Sequence, residues 1–305
     1  MSRRLATEVA GLKLANPTML AAGILGLTGS SLRSVVDAGA GAVVTKSVGL
    51  KPREGYRNPT VVQVEGGLLN AIGLPNPGVR HFGEEIGEVK ETGVPIIVSV
   101  YGFSSGEFAK VAEAAVEAGA DALELNVSCP HVEKTGAEIG QDPRLVAEVV
   151  RKVKNRVNKP VFVKLTPNVA SIAEVAEAVV EAGADAITAI NTVRAMAIEI
   201  ETTRPLLANK IGGLSGPAIK PIAVRCIYEV YRGVDVPVIG CGGITTWRDA
   251  VEFILAGASA VQIGTAIAFK GLGVFKSVTR GIDAYVKKKG FRNVKEIVGL
   301  AHKNF

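Results

Sequence analysis

One phrase recurs along this chain, and it limits the possible folds more than any other feature. It reads Val-Val-Asp-Ala-Gly-Ala-Gly-Ala-Val-Val-Thr-Lys-Ser over 35–47 and Val-Glu-Ala-Gly-Ala-Asp-Ala-Leu-Glu-Leu-Asn-Val-Ser over 116–128. It returns as Val-Glu-Ala-Gly-Ala-Asp-Ala-Ile-Thr-Ala-Ile-Asn-Thr over 180–192 and as Ile-Leu-Ala-Gly-Ala-Ser-Ala-Val-Gln-Ile-Gly-Thr over 254–265. In each copy an Ala/Val-rich stretch at helical spacing stops at a glycine (Gly39, Gly119, Gly183 or Gly257) suited to a left-handed helix cap. A tight link then leads into a short apolar strand that ends in small polar or charged residues.

Further apolar runs at 17–22, 95–100, 160–165 and 236–241 join those at 42–46, 122–127, 186–190 and 260–263, which makes eight strands. Segments such as 106–118, 143–157, 171–182, 217–232 and 246–256 carry a helical pattern between them. Strands buried on both faces and alternating with helices pair in parallel. Eight such units in 305 residues predict an α/β fold of the (β/α)8 barrel type. The alternative is an open doubly wound sheet, but no Gly-x-Gly-x-x-Gly opens a helix after the first strand. Residues 4–16 read as a β-hairpin that closes the barrel bottom. Residues 48–80, with four prolines, form a long inserted loop after strand 2, of the kind that serves as a binding loop or lid. No linker divides the chain, so 1–305 reads as a single domain.

Composition removes several function classes. Cys129, Cys226 and Cys241 show no C-x-x-C spacing, so no disulfide framework, iron–sulfur cluster or zinc site is expected in this chain. The cysteine usage suits a reducing cytoplasm. No apolar run approaches the length of a membrane span, and the N-terminus lacks the apolar segment of a signal peptide. The net charge is +6, with basic clusters at 287–289 and 151–159. Without interleaved aromatics these read as solvated faces rather than a nucleic-acid surface, and the bias helps to attract an anionic small molecule.

Barrel enzymes place their sites at the C-terminal ends of the strands. Here those ends supply Ala21-Ala22-Gly23, Thr45-Lys46-Ser47, Ser99, Tyr101, Asn126, Ser128, Cys129, Lys164, Thr166, Asn191, Thr192, Gly240 to Gly243, Gly264 and Thr265. The absence of a carboxylate cluster argues against a glycosidase, and scattered histidines weaken a His-based triad or a metal site. Lys46 and Lys164, at the ends of apolar strands, call for an anionic ligand or for Schiff-base chemistry; a snorkelling lysine is the bland reading. The glycine turns at 212–217, 242–243 and 264–265 converge on one face as a phosphate site. Cys129, in a polar turn between two lysine-bearing strands, reads as a nucleophile or general base, whereas Cys226 and Cys241 read as inert apolar residues.

The stretches Thr45-Lys46-Ser47, Asn70-Ala-Ile-Gly73-Leu74-Pro75-Asn76-Pro77-Gly78, Asn126-Val-Ser128-Cys129-Pro130, Lys164-Leu165-Thr166-Pro167, Asn191-Thr192, Gly213-Leu-Ser215-Gly216 and Gly242-Gly243-Ile244 resemble dihydroorotate dehydrogenases over essentially the whole chain. Cys129 is similar to the class 1 pattern, and Asn-Ala-Ile-Gly-Leu to the NAD-linked type 1B catalytic subunit. The resemblance implies FMN on the barrel top and oxidation of (S)-dihydroorotate to orotate in pyrimidine synthesis. Cys129 would remove the C5 proton while hydride passes from C6 to flavin N5. Lys46, Asn70, Ala71, Ile72, Gly73, Leu74, Asn126, Asn191 and Thr192 would hold the substrate. Ala22, Lys46, Ser47, Ser99, Asn126, Lys164 and Ile190 would contact the flavin, and Gly216, Gly242, Gly243, Gly264 and Thr265 its phosphate.

The resemblance also implies a homodimer, and a separate electron-transfer subunit carrying FAD and a 2Fe–2S cluster, which together give a heterotetramer. No metal, membrane or nucleic-acid partner is expected. The chain departs from the family pattern at Ala22, where Ser is common, at Ser99, where Asn is often seen, and at His131, where many members have Asn. Three other readings remain open on the residues alone. They are a dihydropyrimidine dehydrogenase-like flavin barrel, a Schiff-base aldolase, and a phosphate- or nucleic-acid-binding module.

Overall fold

A computed structural model describes residues 3–128 and 139–303. The chain begins with an antiparallel pair, β1 (Thr7–Val9) and β2 (Leu12–Leu14), and continues into β3 (Thr18–Leu20), α1 (Gly29–Asp37) and β4 (Ala42–Val44). A first excursion carries β5 (Val61–Val64) and β6 (Gly67–Asn70) before α2 (Gly83–Lys90). Strand and helix then alternate through β7 (Ile96–Val100), α3 (Ser105–Glu117), β8 (Ala122–Asn126), α4 (Pro143–Lys154), β9 (Val161–Leu165), α5 (Ile172–Glu181) and β10 (Ala186–Ala189). A second excursion holds β11 (Val193–Met196), β12 (Ile198–Glu199), β13 (Arg204–Pro205) and β14 (Ile211–Ser215). The chain closes with α6 (Lys220–Gly233), β15 (Val238–Cys241), α7 (Trp247–Leu255), β16 (Ala258–Ile263), α8 (Ala266–Lys270) and α9 (Val274–Lys288).

Strands β3, β4, β7, β8, β9, β10, β15 and β16 are the eight runs read from the sequence, with ends that shift by up to two residues. They pair in parallel in that order, and β16 returns to β3, so the sheet is a closed barrel rather than an open one.

The recurring phrase explains much of this regularity. Gly39, Gly119, Gly183 and Gly257 all take positive φ, between 100° and 126°. At the second copy Gly119 N–H donates to Val116 O and Ala120 N–H to Ala115 O, the paired bonds that end a helix and redirect the chain. The aspartate that follows has its own task. Asp121 accepts from Ile96 N–H at 3.0 Å and Asp185 from Val161 N–H at 2.7 Å, so each ties its own strand to the start of the preceding one.

The barrel interior is graded. Near the bottom Met19, Ala42, Val44, Ile97, Ala122, Phe162, Ala186, Ile239 and Ala260 pack with Val9 and Leu14 of the hairpin into one dry cluster. Large and small side chains alternate there, which fills a taper without voids. Above that floor the inward positions turn polar, with Ser99, Glu124, Lys164, Thr188, Cys241 and Gln262. The residues facing outward from the strands, such as Leu123, Leu125, Val161 and Val163, pack instead against the helices.

Both excursions meet above the barrel. Their strands form a four-stranded antiparallel sheet in the order β11-β14-β6-β5, which sets Asn70 opposite Gly213. Of the basic residues at 151–159, Lys152, Lys154 and Arg156 each pair with a carboxylate of the outer surface. Among the described residues no helix is long and apolar enough to cross a membrane.

Candidate active site

A cavity of about 720 Å³ opens at the C-terminal end of the barrel, under the four-stranded sheet. It gathers nearly every site residue expected from the sequence. Ala22, Lys46, Ser47, Asn70, Ala71, Ile72, Gly73, Leu74, Asn126, Lys164, Ile190, Asn191, Thr192, Gly216, Gly242, Gly243, Gly264 and Thr265 all line it. Ser99 does not. It is fully buried behind the wall, where its hydroxyl shares a 2.8 Å hydrogen bond with Ser47 Oγ. Cys129, like His131, lies outside the described residues. Ser128, which precedes Cys129, lines the cavity.

The lining has one sign of charge. Lys46, Arg53, Lys164 and Arg194 contribute, and no Asp or Glu does among the described residues. Burial holds the Lys46 ammonium below the ordinary lysine value, and it has no ion-pair partner among the described residues. Lys164 is different. Burial pulls its pKa down, while Cys241 and the Glu124 carboxylate, with Oε1 3.6 Å from Nζ, push it up, and the net direction is above its ordinary value. Lys164 also donates to Gln262 Oε1 at 3.0 Å.

Residues 70–74 are held by a brace from the same excursion. Arg53 Nε donates to Gly73 O at 2.6 Å, Tyr56 N–H donates to Ile72 O, and Arg53 and Asn76 exchange backbone hydrogen bonds. Asn76 is buried and fully used. Its Nδ2 donates to Leu74 O and Tyr101 Oη, and its Oδ1 accepts from Gly49 N–H and Gly78 N–H. Asn70 donates to Gly213 O at 3.0 Å. Position 213 must be glycine, because a Cβ there would lie 2.0 Å from Thr192 Oγ1.

The glycine turns converge as a second wall. Gly216, Gly242 and Gly243 have φ of 104°, 127° and 86°. A Cβ on Gly216 would meet Gly67 Cα at 2.8 Å, and one on Gly243 would meet Gly216 O at 2.8 Å. Thr265 Oγ1 donates to Ser215 Oγ at 2.8 Å beside them. Asp249 secures the end of this wall by accepting from the N–H and hydroxyl groups of Thr245 and Thr246.

The chain matches the family described as Dihydroorotate dehydrogenase over residues 4–286. It belongs to the dihydroorotate dehydrogenase family. It is 55% identical over 300 residues to a protein of Methanothermobacter thermautotrophicus named Dihydroorotate dehydrogenase B (NAD(+)), catalytic subunit, with 98% of each chain covered. Proteins of the same name from Pyrococcus abyssi (54% identical, 96% of this chain and 97% of the other) and Methanocaldococcus jannaschii (51% identical, 98% of each) are similar over nearly their whole lengths.

Ala22 offers no hydroxyl at its place in the cavity wall, while Ser99 supports Ser47 from behind it. The dihydroorotate dehydrogenase cavity also takes residues that strand-end reading did not single out. Arg53, Tyr56, Phe103, Asn168 and Arg194 line it, and so does Cys241, which was expected to be an inert apolar residue. Cys241 lies in a strand end that reads Gly-Cys-Gly-Gly. By strand alternation from Ile239 its side chain points inward. Asn168 gave no motif, yet its amide donates to Thr166 Oγ1 and Thr192 O and joins two strand ends. Among the described residues no group of His, Cys, Asp and Glu is arranged to hold a metal ion.

Proposed function

We propose that this chain oxidises (S)-dihydroorotate to orotate in pyrimidine synthesis, as the catalytic subunit of an NAD-linked class 1 dihydroorotate dehydrogenase. The observation that carries the reading is the cationic cavity, free of carboxylates among the described lining residues, at the strand ends of a dihydroorotate dehydrogenase-family barrel. A carboxylate substrate and a phosphorylated flavin both need positive charge, and a partly desolvated site strengthens each contact.

FMN suits the residues present. Gly216, Gly242, Gly243, Gly264 and Thr265 would take its phosphate, since the glycines, three of them at positive φ, put backbone without side chains on the cavity wall, where an anion can approach the amides. Lys46, Lys164, Ala22, Ser47, Asn126 and Ile190 would contact the ring, with Ser99 acting through Ser47 rather than directly. When bound, FMN supplies the hydride acceptor.

The remaining chemistry belongs to the chain. The Lys46 ammonium would bind the substrate carboxylate, helped by Asn70 and the backbone of Ala71, Ile72, Gly73 and Leu74. Asn126, Asn191 and Thr192 offer paired donors and acceptors to the ring amides. Cys129, which follows the cavity-lining Ser128 in sequence, is assigned the C5 proton on the family resemblance, since a thiol of suitable pKa can serve as a base. Electrons would leave through a separate subunit carrying FAD and a 2Fe–2S cluster, in a heterotetramer built on a homodimer of this chain in the cytoplasm. The words "catalytic subunit" in the relatives' names support a separate partner.

Identification of the released flavin, and turnover with a dye acceptor, test the reading. FMN together with turnover of dihydroorotate, and none of dihydrouracil, is expected. Turnover of dihydrouracil alone would move the chain to the dihydropyrimidine reductases, and a protein that cannot be loaded with flavin would overturn the reading.

A further inference from the structure

The barrel interior holds a carboxylate for which the proposed reaction has no use. Glu124 is fully buried on β8, two residues before Asn126. Its Oε2 accepts from Thr188 Oγ1 at 2.9 Å and from Gln262 Nε2 at 2.5 Å. Its Oε1 accepts no hydrogen bond among the described residues and lies 3.6 Å from Lys164 Nζ. Four strands, β8, β9, β10 and β16, thus each spend an inward position on one ion pair and its two neutral partners. Apolar residues of the same volume would stabilise a barrel at least as well, so stability alone does not account for the pair.

We propose that Glu124 is the counter-ion that keeps Lys164 a permanent cation toward the bound flavin, so that negative charge arriving on reduction meets a charge already in place. The inference rests on the FMN reading. Glu124 is a positioning residue, since it acts only through Lys164. Among the described residues the other titratable group beside Lys164 is Cys241 of β15; Lys164 pulls its thiol down, but burial outweighs this and pushes it up, which favours the neutral form. Thr188 and Gln262 carry no charge. Glu124 is then the carboxylate paired with this lysine among the described residues.

The test is the midpoint potential of protein-bound FMN measured against pH by spectroelectrochemistry. In the unaltered protein Lys164 stays charged in both redox states, and reduction takes up roughly one proton per two electrons from neutral to mildly alkaline pH. In Glu124→Gln the lysine has lost its counter-ion. It then releases its proton in the oxidised state and regains it on reduction, so uptake rises to roughly two protons and the pH slope doubles. Adding Lys164→Met to Glu124→Gln restores the original slope, and Glu124→Asp, which keeps the charge, never loses it.

A role confined to packing would loosen FMN or lower the melting temperature without adding a proton. FMN-loaded Glu124→Gln with the original slope overturns the inference, as does a doubled slope in Glu124→Asp. Should Glu124→Gln not fold, Gln262→Met removes the neutral bridge and leaves the carboxylate. It must keep the original slope, and a doubled one overturns the assignment. An unaltered protein that holds no FMN fails the functional reading instead.

Discussion

Asn191 Nδ2 donates to Asn126 Oδ1 at 3.2 Å, which joins the ends of two strands that are not neighbours in the barrel. Asn126 Nδ2 in turn donates to Ser47 Oγ at 3.1 Å, and Ser47 shares a proton with Ser99. The result is a polar belt across the barrel mouth that skips the intervening strand at each long step. Inward side chains of alternate strands share a layer in this fold, so the belt is the uppermost layer rendered in amides and hydroxyls. It presents Asn126 and Asn191 to the cavity at fixed angles.

Asn126→Ala removes the middle of that belt and leaves Asn191 Nδ2 and Ser47 Oγ each short of one hydrogen-bond partner. Turnover of dihydroorotate is expected to fall by about 10²-fold, because neighbouring groups shift by fractions of an ångström. Stability should fall by only about 1–2 kcal/mol, since the site is half open to water. Steady-state kinetics beside thermal unfolding separate the two effects.

Lys46 titrates early because burial lowers its pKa. Its cation exists below that lowered value and is lost as pH rises through it, so affinity for a carboxylate must weaken on the alkaline side before an ordinary lysine would titrate. The dissociation constant of orotate measured from pH 7 upward is expected to rise. Lys46→Met should bind weakly at every pH with a flat profile over the same range.

Asp249 receives four hydrogen bonds from Thr245 and Thr246 and an ion pair from Lys220 at 3.0 Å. Burial opposes its charge, but these donors outweigh burial and hold its carboxyl below the ordinary value. A depressed carboxyl stabilises the fold above its unfolded pKa of about 3.9, and that contribution disappears as pH falls through the folded value. Asp249→Asn should therefore lose about 1–2 kcal/mol at pH 7, narrowing toward zero in strong acid. Thermal unfolding at both pH values checks this.

Gly243→Ala forces a Cβ against Gly216 O at 2.8 Å with φ at 86°. The wall must open, and FMN retained after gel filtration is expected to drop at least about tenfold, with a stability loss of about 1–3 kcal/mol. Gly87→Ala is the control, because nothing lies within 4 Å of its Cβ in α2. It should keep its flavin and gain about 0.5–1 kcal/mol.

The repeat made the barrel legible. Each Gly-Ala-Asp link encodes a helix cap and a strand tie through local hydrogen bonds, and local rules can be read without coordinates. The strand ends gave the cavity wall for the same reason. The layer beneath was readable in principle: Glu124 and Gln262 sit two residues before Asn126 and Gly264, and period-two alternation turns them inward. That Glu124 meets Lys164 depends on the stagger between strands, which no segment carries alone. The antiparallel sheet formed by the two excursions was equally hidden, because Asn70 and Gly213 are 143 residues apart. Residues 48–80 announced a loop through their prolines, but not its partner.

The most direct measurement is the visible spectrum of the purified protein during anaerobic addition of dihydroorotate, with Cys129→Ala beside it. The yellow of oxidised flavin is expected to bleach with about one equivalent of substrate in the unaltered protein and to persist in the variant, because no base is left for the C5 proton. A flavin that stays oxidised in the unaltered protein, or that bleaches equally fast without Cys129, would contradict the assigned reaction or its assigned base.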